Sequence, residues 1–136
     1  MRIVTAIGSL VAVVDDEECI RKALQRLMTS AGLAVQVFSS GAEFLEWLKQ
    51  KRPACVVLDL HMPGVSGFDV QARLAQANDK LPLIVITGNH TEETMHRVTS
   101  AGASAYFTKP VDDELLLAAV NAAIGSRPTN NKNGEE

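Results

Sequence analysis

Apolar residues along this chain fall alternately into short unbroken runs and into stripes of helical spacing. Leu10–Val14 is a continuous apolar run, the pattern of a strand covered on both faces. Ile20, Ala23, Leu24, Leu27, Met28 and Ala31 then recur at helical spacing, and Gly32 follows as a helix stop. Ala34–Phe38 reads as a second strand. Ser40 and Glu43 form a capping-box pattern for a second helix with Phe44, Leu45 and Leu48 inward, closed by Pro53. Residues 54–58 make a third buried strand, and residues 59–67 a loop containing Pro63 and two glycines. Val70, Leu74 and Ala77 mark a third helix, and residues 83–86 a fourth strand. A weaker helix over 91–100 carries Met95 and Val98 and stops at Gly102. Residues 103–107 form the fifth strand. A last helix starts near Asp112 and buries Leu116, Ala119, Val120, Ala123 and Ile124. Asp112, Asp113 and Glu114 suit the positive end of its dipole. Five strands alternating with five helices predict an α/β domain, a parallel sheet with helices on both faces.

Length and composition narrow the possibilities. A chain of 136 residues suits one domain. Its hydrophobic share of 46% and charged share of 21% are those of a soluble globular protein. A net charge of −3 argues against direct binding to nucleic acid, which needs a basic face. Cys19 and Cys55 form no disulfide framework or metal cluster, and both read as small buried hydrophobes. The apolar stretch 3–14 imitates a signal-peptide core behind Arg2. It runs straight into Asp15, Asp16, Glu17 and Glu18 without a small-residue cleavage site, and it is too short to span a bilayer. The expected organisation is a leader at 1–9, one domain at 10–125 and a disordered polar tail at 126–136, in a cytoplasmic protein with no membrane partner.

The chemistry collects where the strands end. Open α/β sheets bind ligands outside the carboxyl ends of their strands. Strand one ends in Asp15 and Asp16, strand three in Asp59 and strand four in Thr87, while Lys109 and Pro110 follow strand five. Each alone reads as a polar residue where a strand meets solvent; together they bring three carboxylates, a hydroxyl and an ammonium to one rim. Crowded carboxylates repel and take up protons unless a cation neutralises them. Mg²⁺ prefers oxygen ligands and is commonly held by one or two carboxylates plus phosphate. Such a rim suits phosphoryl transfer, in which positioning and charge neutralisation supply most of the catalysis.

The stretches VAVVDDEE, VVLDLHMPGVSGFD, VITG and AYFTKP resemble the receiver family of bacterial two-component signalling, the CheY-like response-regulator domain. The resemblance covers about residues 10–125. VAVVDDEECIRKALQRLMTSAG and TKPVDDELLLAAV look most like receivers of FixJ-type regulators. The resemblance implies a single doubly wound, flavodoxin-like five-stranded sheet in the order 2-1-3-4-5. It implies Asp59 as phosphoacceptor, taking a phosphoryl group from a phosphohistidine on a sensor histidine kinase or phosphotransfer protein. Asp16 would ligate Mg²⁺ directly, Asp15 mainly through a coordinated water, and Asp59 and the backbone carbonyl of His61 would complete the protein ligands. Thr87 and Lys109 would contact phosphoryl oxygens, and Pro110 would follow a cis bond. Pro63 and Gly67 would shape the loop after Asp59. Thr87 and Tyr106 would form a switch that reshapes the face of helix four, strand five and helix five, where a second copy or an output partner docks. The chain would be a signalling module rather than an enzyme acting on a separate substrate.

Other residues carry plainer expectations. The His61 ring is expected to face solvent, with only its carbonyl used. His90 and His96 read as surface residues, Trp47 as packing at the core edge, and the basic stretch 49–52 as a solvated helix end. Gly88 either keeps the site open or serves a turn. Two other classes of function compete. A haloacid-dehalogenase-like phosphatase ordinarily has an acid two residues past its nucleophile, where this chain has His61, and a cap domain for which there is no room. A receiver-like binding module independent of phosphate would have lost some of Asp15, Asp16, Asp59, Thr87 and Lys109, and all five are present. A nucleotide-binding flavodoxin-like protein is weaker still, because no glycine-rich loop follows strand one.

Overall fold

A computed structural model describes residues 10–125, so the leader and tail expected at 1–9 and 126–136 lie outside the described residues. The strands are β1 (Leu10–Val14), β2 (Ala34–Phe38), β3 (Cys55–Asp59), β4 (Leu83–Thr87) and β5 (Ala105–Thr108). They alternate with α1 (Glu18–Ser30), α2 (Gly41–Trp47), α3 (Gly67–Gln76), α4 (Glu92–Ser100) and α5 (Asp113–Gly125). All neighbouring strands pair in parallel, in the order β2-β1-β3-β4-β5. This is the doubly wound architecture that the alternation and the resemblance imply.

The period of two along each strand divides the core between two helical layers. Val11 and Val13 pack with Cys55, Val57, Ile84 and Ile86 against Leu24 and Met28 of α1 and Leu116 and Val120 of α5. Ala12 and Val14 pack with Val56 and Leu58 against Phe44 of α2 and Val70 and Leu74 of α3. Trp47 completes an aromatic group with Phe38 and Phe44 at the edge of this layer. Helix α4 is held far more lightly. Val98 is its one buried residue, in a small cluster with Leu60 and Val85.

Several local expectations are corrected. Ala23 is exposed on α1, whose buried residues are Leu24 and Met28, and Ala31 and Ala77 are exposed C-cap residues just past the ends of α1 and α3. Met95 is 39% exposed, so α4 contributes only Val98 to the core. Cys19 is exposed in the first turn of α1, whereas Cys55 is buried in β3, with its thiol pushed up to about 12 by burial. Strand β5 begins at Ala105, two residues later than expected. Strand β3 ends in Asp59, as the strand-end reading expects. Ser40 caps α2 by accepting from Glu43 N–H, but Glu43 reaches back to the N–H of Ser39, not that of Ser40. The reciprocal capping box lies at α3, between Ser66 and Asp69. Arg52 is no free helix-end charge either: its guanidinium holds both Asp79 carboxylate oxygens, which keeps that carboxyl below its ordinary range.

Two glycines matter to the loops at the sheet ends. Gly32 ends α1 with φ +84°, a conformation that costs other residues steric strain. Gly67 opens α3 directly behind the tip of β3, where its N–H donates to the Leu60 carbonyl at 2.9 Å. A Cβ there would lie 2.7 Å from Leu60 Cα and collide with the Asp59 carbonyl. Gly67→Ala is therefore expected to destabilise the protein by about 2–4 kcal/mol, by forcing backbone apart where none can yield. Gly88→Ala, whose Cβ would stand 3.7 Å from Lys109 Cδ, should cost under about 1 kcal/mol. Denaturant unfolding of both variants measures the contrast.

Candidate functional site

Parallel pairing brings the carboxyl ends of β1, β3, β4 and β5 to one edge of the sheet. Asp15 and Asp16 follow β1, Asp59 ends β3, and Thr87 ends β4 opposite Thr108. The chain after β5 is tied back when Lys109 N–H donates to the Thr87 carbonyl at 2.8 Å. These links place the Lys109 ammonium among acidic groups. Its Nζ lies 3.1 Å from Asp15 Oδ2, 2.9 Å from Glu17 Oε1 and 3.6 Å from Asp59 Oδ1. One carboxylate oxygen from each of Asp15, Asp16 and Asp59 falls within 4.8 Å of the others. A cleft of about 320 Å³ opens over them, lined by Asp16, Glu17, Asp59, His61, Gly88, Asn89 and Lys109. Another cleft, of about 380 Å³, lies at the opposite end of the strands near Pro82 and Leu83 and holds none of this cluster.

Burial makes this acidic cluster unusual. Asp15 and Asp59 are buried, and Asp16 is exposed. Burial above all, then the charge of Asp15, pushes the Asp59 carboxyl up to about 7. Lys109 and the His61 backbone N–H oppose that rise, and Asp16 adds to it. Asp15 is also raised by burial, against the lowering effects of the Glu17 N–H and Lys109. Burial disfavours the charged ammonium of Lys109, but Glu17 and Asp15 outweigh it, and the lysine is held above its ordinary range. Asp15 Oδ2 is buried without a hydrogen-bond donor, because the nearby ammonium is not aligned to it. An oxygen-only donor set, an unsatisfied buried oxygen and a carboxyl forced toward protonation fit a small hard divalent cation.

The remaining residues surround this centre. Thr87 is fully buried, and its Oγ1 accepts from Asn89 N–H at 3.1 Å. The peptide bond between Lys109 and Pro110 is cis. Pro63 is exposed in the loop after β3. The His61 side chain is exposed, with its ring edge-on to Phe68, whose face carries the Arg97 guanidinium 4.0 Å from the centroid. Tyr106 is half-buried, packed against the Leu60, Val85 and Val98 cluster, and its hydroxyl pairs with His90 Nδ1 at 2.9 Å. His90 is thus more than a bare surface residue. Its spacing to Tyr106 across two elements gave no sign of this contact. Glu17 likewise passed as part of an acidic run, since nothing local links it to a lysine 92 positions away.

A doubly wound parallel sheet with an acidic cluster and one lysine at its carboxyl edge defines the class as an open α/β module with its candidate site at the strand ends. The comparisons assign the family: residues 11–121 match the model of the response regulator receiver domain, and the chain belongs to that family. It is 37% identical over 128 residues to the response regulator protein TmoT of Ectopseudomonas mendocina, covering 94% of this chain and 58% of that protein. The fold matches a response regulator receiver protein from Burkholderia phymatum with a TM-score of 0.76 and 40% identity, covering 85% of this chain and 94% of that one. It matches FixJ-N with a TM-score of 0.79 and 33% identity, covering 87% and 94%. The chain spans little more than half the length of the curated relatives it matches first. Among the described residues, no helix is long and apolar enough to cross a membrane.

The raised Asp59 carboxyl makes stability depend on pH. In the unfolded chain an aspartate titrates near 4, so the folded state binds the extra proton between about pH 4 and 7. The associated stability is fully present below about pH 4 and is lost as pH rises through 7. Asp59→Asn should therefore match wild type near pH 4 without divalent ions and exceed it by roughly 1–3 kcal/mol near pH 8. Mg²⁺ should shrink that gap. Chemical denaturation across this pH range, with and without Mg²⁺, checks the sign and the size.

Proposed function

We propose that this receiver accepts a phosphoryl group on Asp59 from a phosphohistidine of a sensor kinase or phosphotransfer protein. The observation that carries this reading is the charge imbalance: the Asp15, Asp16 and Asp59 carboxylates cluster beside one lysine, and the buried Asp59 carboxyl at the tip of β3 is pushed up to about 7. In the reaction, an Asp59 carboxylate oxygen forms a bond to phosphorus as the P–N bond to imidazole breaks. The electron pair leaves with the imidazole, which takes up a proton from solvent. Asp16 would hold Mg²⁺ directly and Asp15 through a water, with Asp59 and the His61 carbonyl as further ligands. The ion supplies positive charge against the phosphoryl oxygens. Lys109 turns an N–H toward one of those oxygens, and Thr87 donates its hydroxyl to another after leaving the Asn89 N–H.

The consequence is a shape change. Movement of Thr87 frees space beside β5 that Tyr106 enters, which breaks its pairing with His90. Helix α4, with Val98 as its one buried residue, is the element with least to lose. The α4-β5-α5 face then docks an output partner or a second copy. Met95 and Leu115, the exposed large hydrophobics of α4 and α5, support that surface. On this reading residues 10–125 form the receiver. The protein works in the cytoplasm as a signalling module that catalyses only its own phosphorylation and dephosphorylation.

Incubation with acetyl phosphate and Mg²⁺ should label Asp59 alone, as mapped by mass spectrometry. Asp59→Asn and the chelated protein should remain unlabelled. Lys109→Ala should accept some phosphate, yet show none of the amide-exchange change at residues 91–106 that beryllofluoride produces in wild type. Equal labelling of Asp59→Asn, or exchange changes confined to the loops around Asp15 and Asp59, would sink the proposal.

A further inference from the structure

The strand ends do not account for Glu17. It stands at the N-cap of α1, where a side chain usually accepts a hydrogen bond from the first helical turn. Its carboxylate caps nothing. Instead it accepts from Lys109 Nζ at 2.9 Å, closer than the ammonium comes to either Asp15 or Asp59. Glu17 is also positioned by the site itself, because its N–H donates to Asp15 Oδ1 at 2.9 Å. Capping of the N–H thus falls to Asp15, and the Glu17 side chain is left to cross the cleft.

The three carboxylates around Lys109 differ in what it takes to release the ammonium. Asp15 and Asp59 are buried, so losing the lysine would leave them unpaired in a poorly solvated place. The Glu17 side chain is 59% exposed and rehydrates when it lets go. An ammonium has three protons to donate. Glu17 accepts the one aligned hydrogen bond of this ammonium among the described residues, whereas Asp15 Oδ2 is not aligned with it and Asp59 Oδ1 stands 3.6 Å away. When the ammonium turns toward an arriving phosphoryl oxygen, Glu17 is the partner released at least cost. Standing on the cleft wall, its charge also repels an anionic phosphodonor.

Resting on the reading of Asp59 as phosphoacceptor, we infer that Glu17 is a positioning residue that holds Lys109 in competition with the phosphoryl group. It touches no reacting atom. It sets how readily Lys109 becomes available, and so how fast and how durably Asp59 is modified. The ion pair between Glu17 and Lys109 marks the resting state and opens on phosphorylation.

The test compares wild type with Glu17→Gln, with Glu17→Asp, whose side chain is one methylene shorter, and with Glu18→Gln. The last removes the same charge one residue on, from an exposed pair with Lys22. Without phosphodonor, ¹⁵N NMR of the Lys109 ammonium should show faster exchange of its Nζ protons in Glu17→Gln and no change in Glu18→Gln. With acetyl phosphate and Mg²⁺, Glu17→Gln should label Asp59 about three- to tenfold faster, also at high salt, and Glu17→Asp by less. Glu18→Gln should stay within about twofold of wild type. An equal gain in Glu18→Gln, or one that vanishes in salt, would reduce the effect to long-range charge and overturn the competition. A wild type that labels Asp59 while Glu17→Gln merely matches it overturns the competition alone. A wild type that never labels Asp59 overturns the phosphoacceptor reading and the competition with it.

Discussion

The Lys109 ammonium is the interaction on which the carboxyl edge of this sheet depends. Two buried aspartates at adjacent strand ends repel each other, and burial disfavours both as anions. Lys109 is the cation that lets them share one edge, and it arrives there through the backbone tie from its N–H to the Thr87 carbonyl. One lysine does not balance Asp15, Asp16, Asp59 and Glu17. The surplus negative charge is unfavourable in the folded protein, and in the proposed function a divalent cation offsets it so that the edge can accept an anionic phosphoryl group.

The same edge explains how the fold divides into firm and yielding parts. Helices α1 and α5 share one extensive core, and α2 and α3 share the other. Helix α4 lies over β4 and β5 on a small cluster, with additional ties from the buried Gln71 amide to the Val98 carbonyl and from Arg97 to Phe68. Tyr106 packs on that cluster beside Val85, and Thr87 stands two residues further along β4 at the charged edge. On the proposed function, a change in charge at Asp59 would be felt most at α4, because an element with few buried contacts has the least packing energy to lose.

The sequence made the fold legible wherever a segment was buried on two faces. The apolar runs of β1, β3 and β4 and the alternation with helical stripes implied the parallel sheet, and the strand-end rule picked out Asp15, Asp16, Asp59, Thr87 and Lys109 as neighbours. Apolar periodicity overstated burial at Ala23, Ala31, Ala77 and Met95, because small side chains and helix ends fit a stripe without touching the core. Cys19, in the first turn of α1, is exposed for the same reason. Contacts between distant surface residues left no local signal. The pairings of Arg52 with Asp79, His90 with Tyr106 and Glu17 with Lys109 depend on how the loops come together, and only the folded arrangement reveals them.

The central claim is that Asp59 is held near neutrality by burial and by Asp15 until a cation relieves it. Carbon-13 NMR of the Asp59 side-chain carboxyl, titrated with and without Mg²⁺, measures this directly. The account predicts a midpoint of about 7 in the metal-free protein and a midpoint lowered by at least about one unit when Mg²⁺ is present. A midpoint near 4 in the metal-free protein, or one that Mg²⁺ does not move, would contradict it.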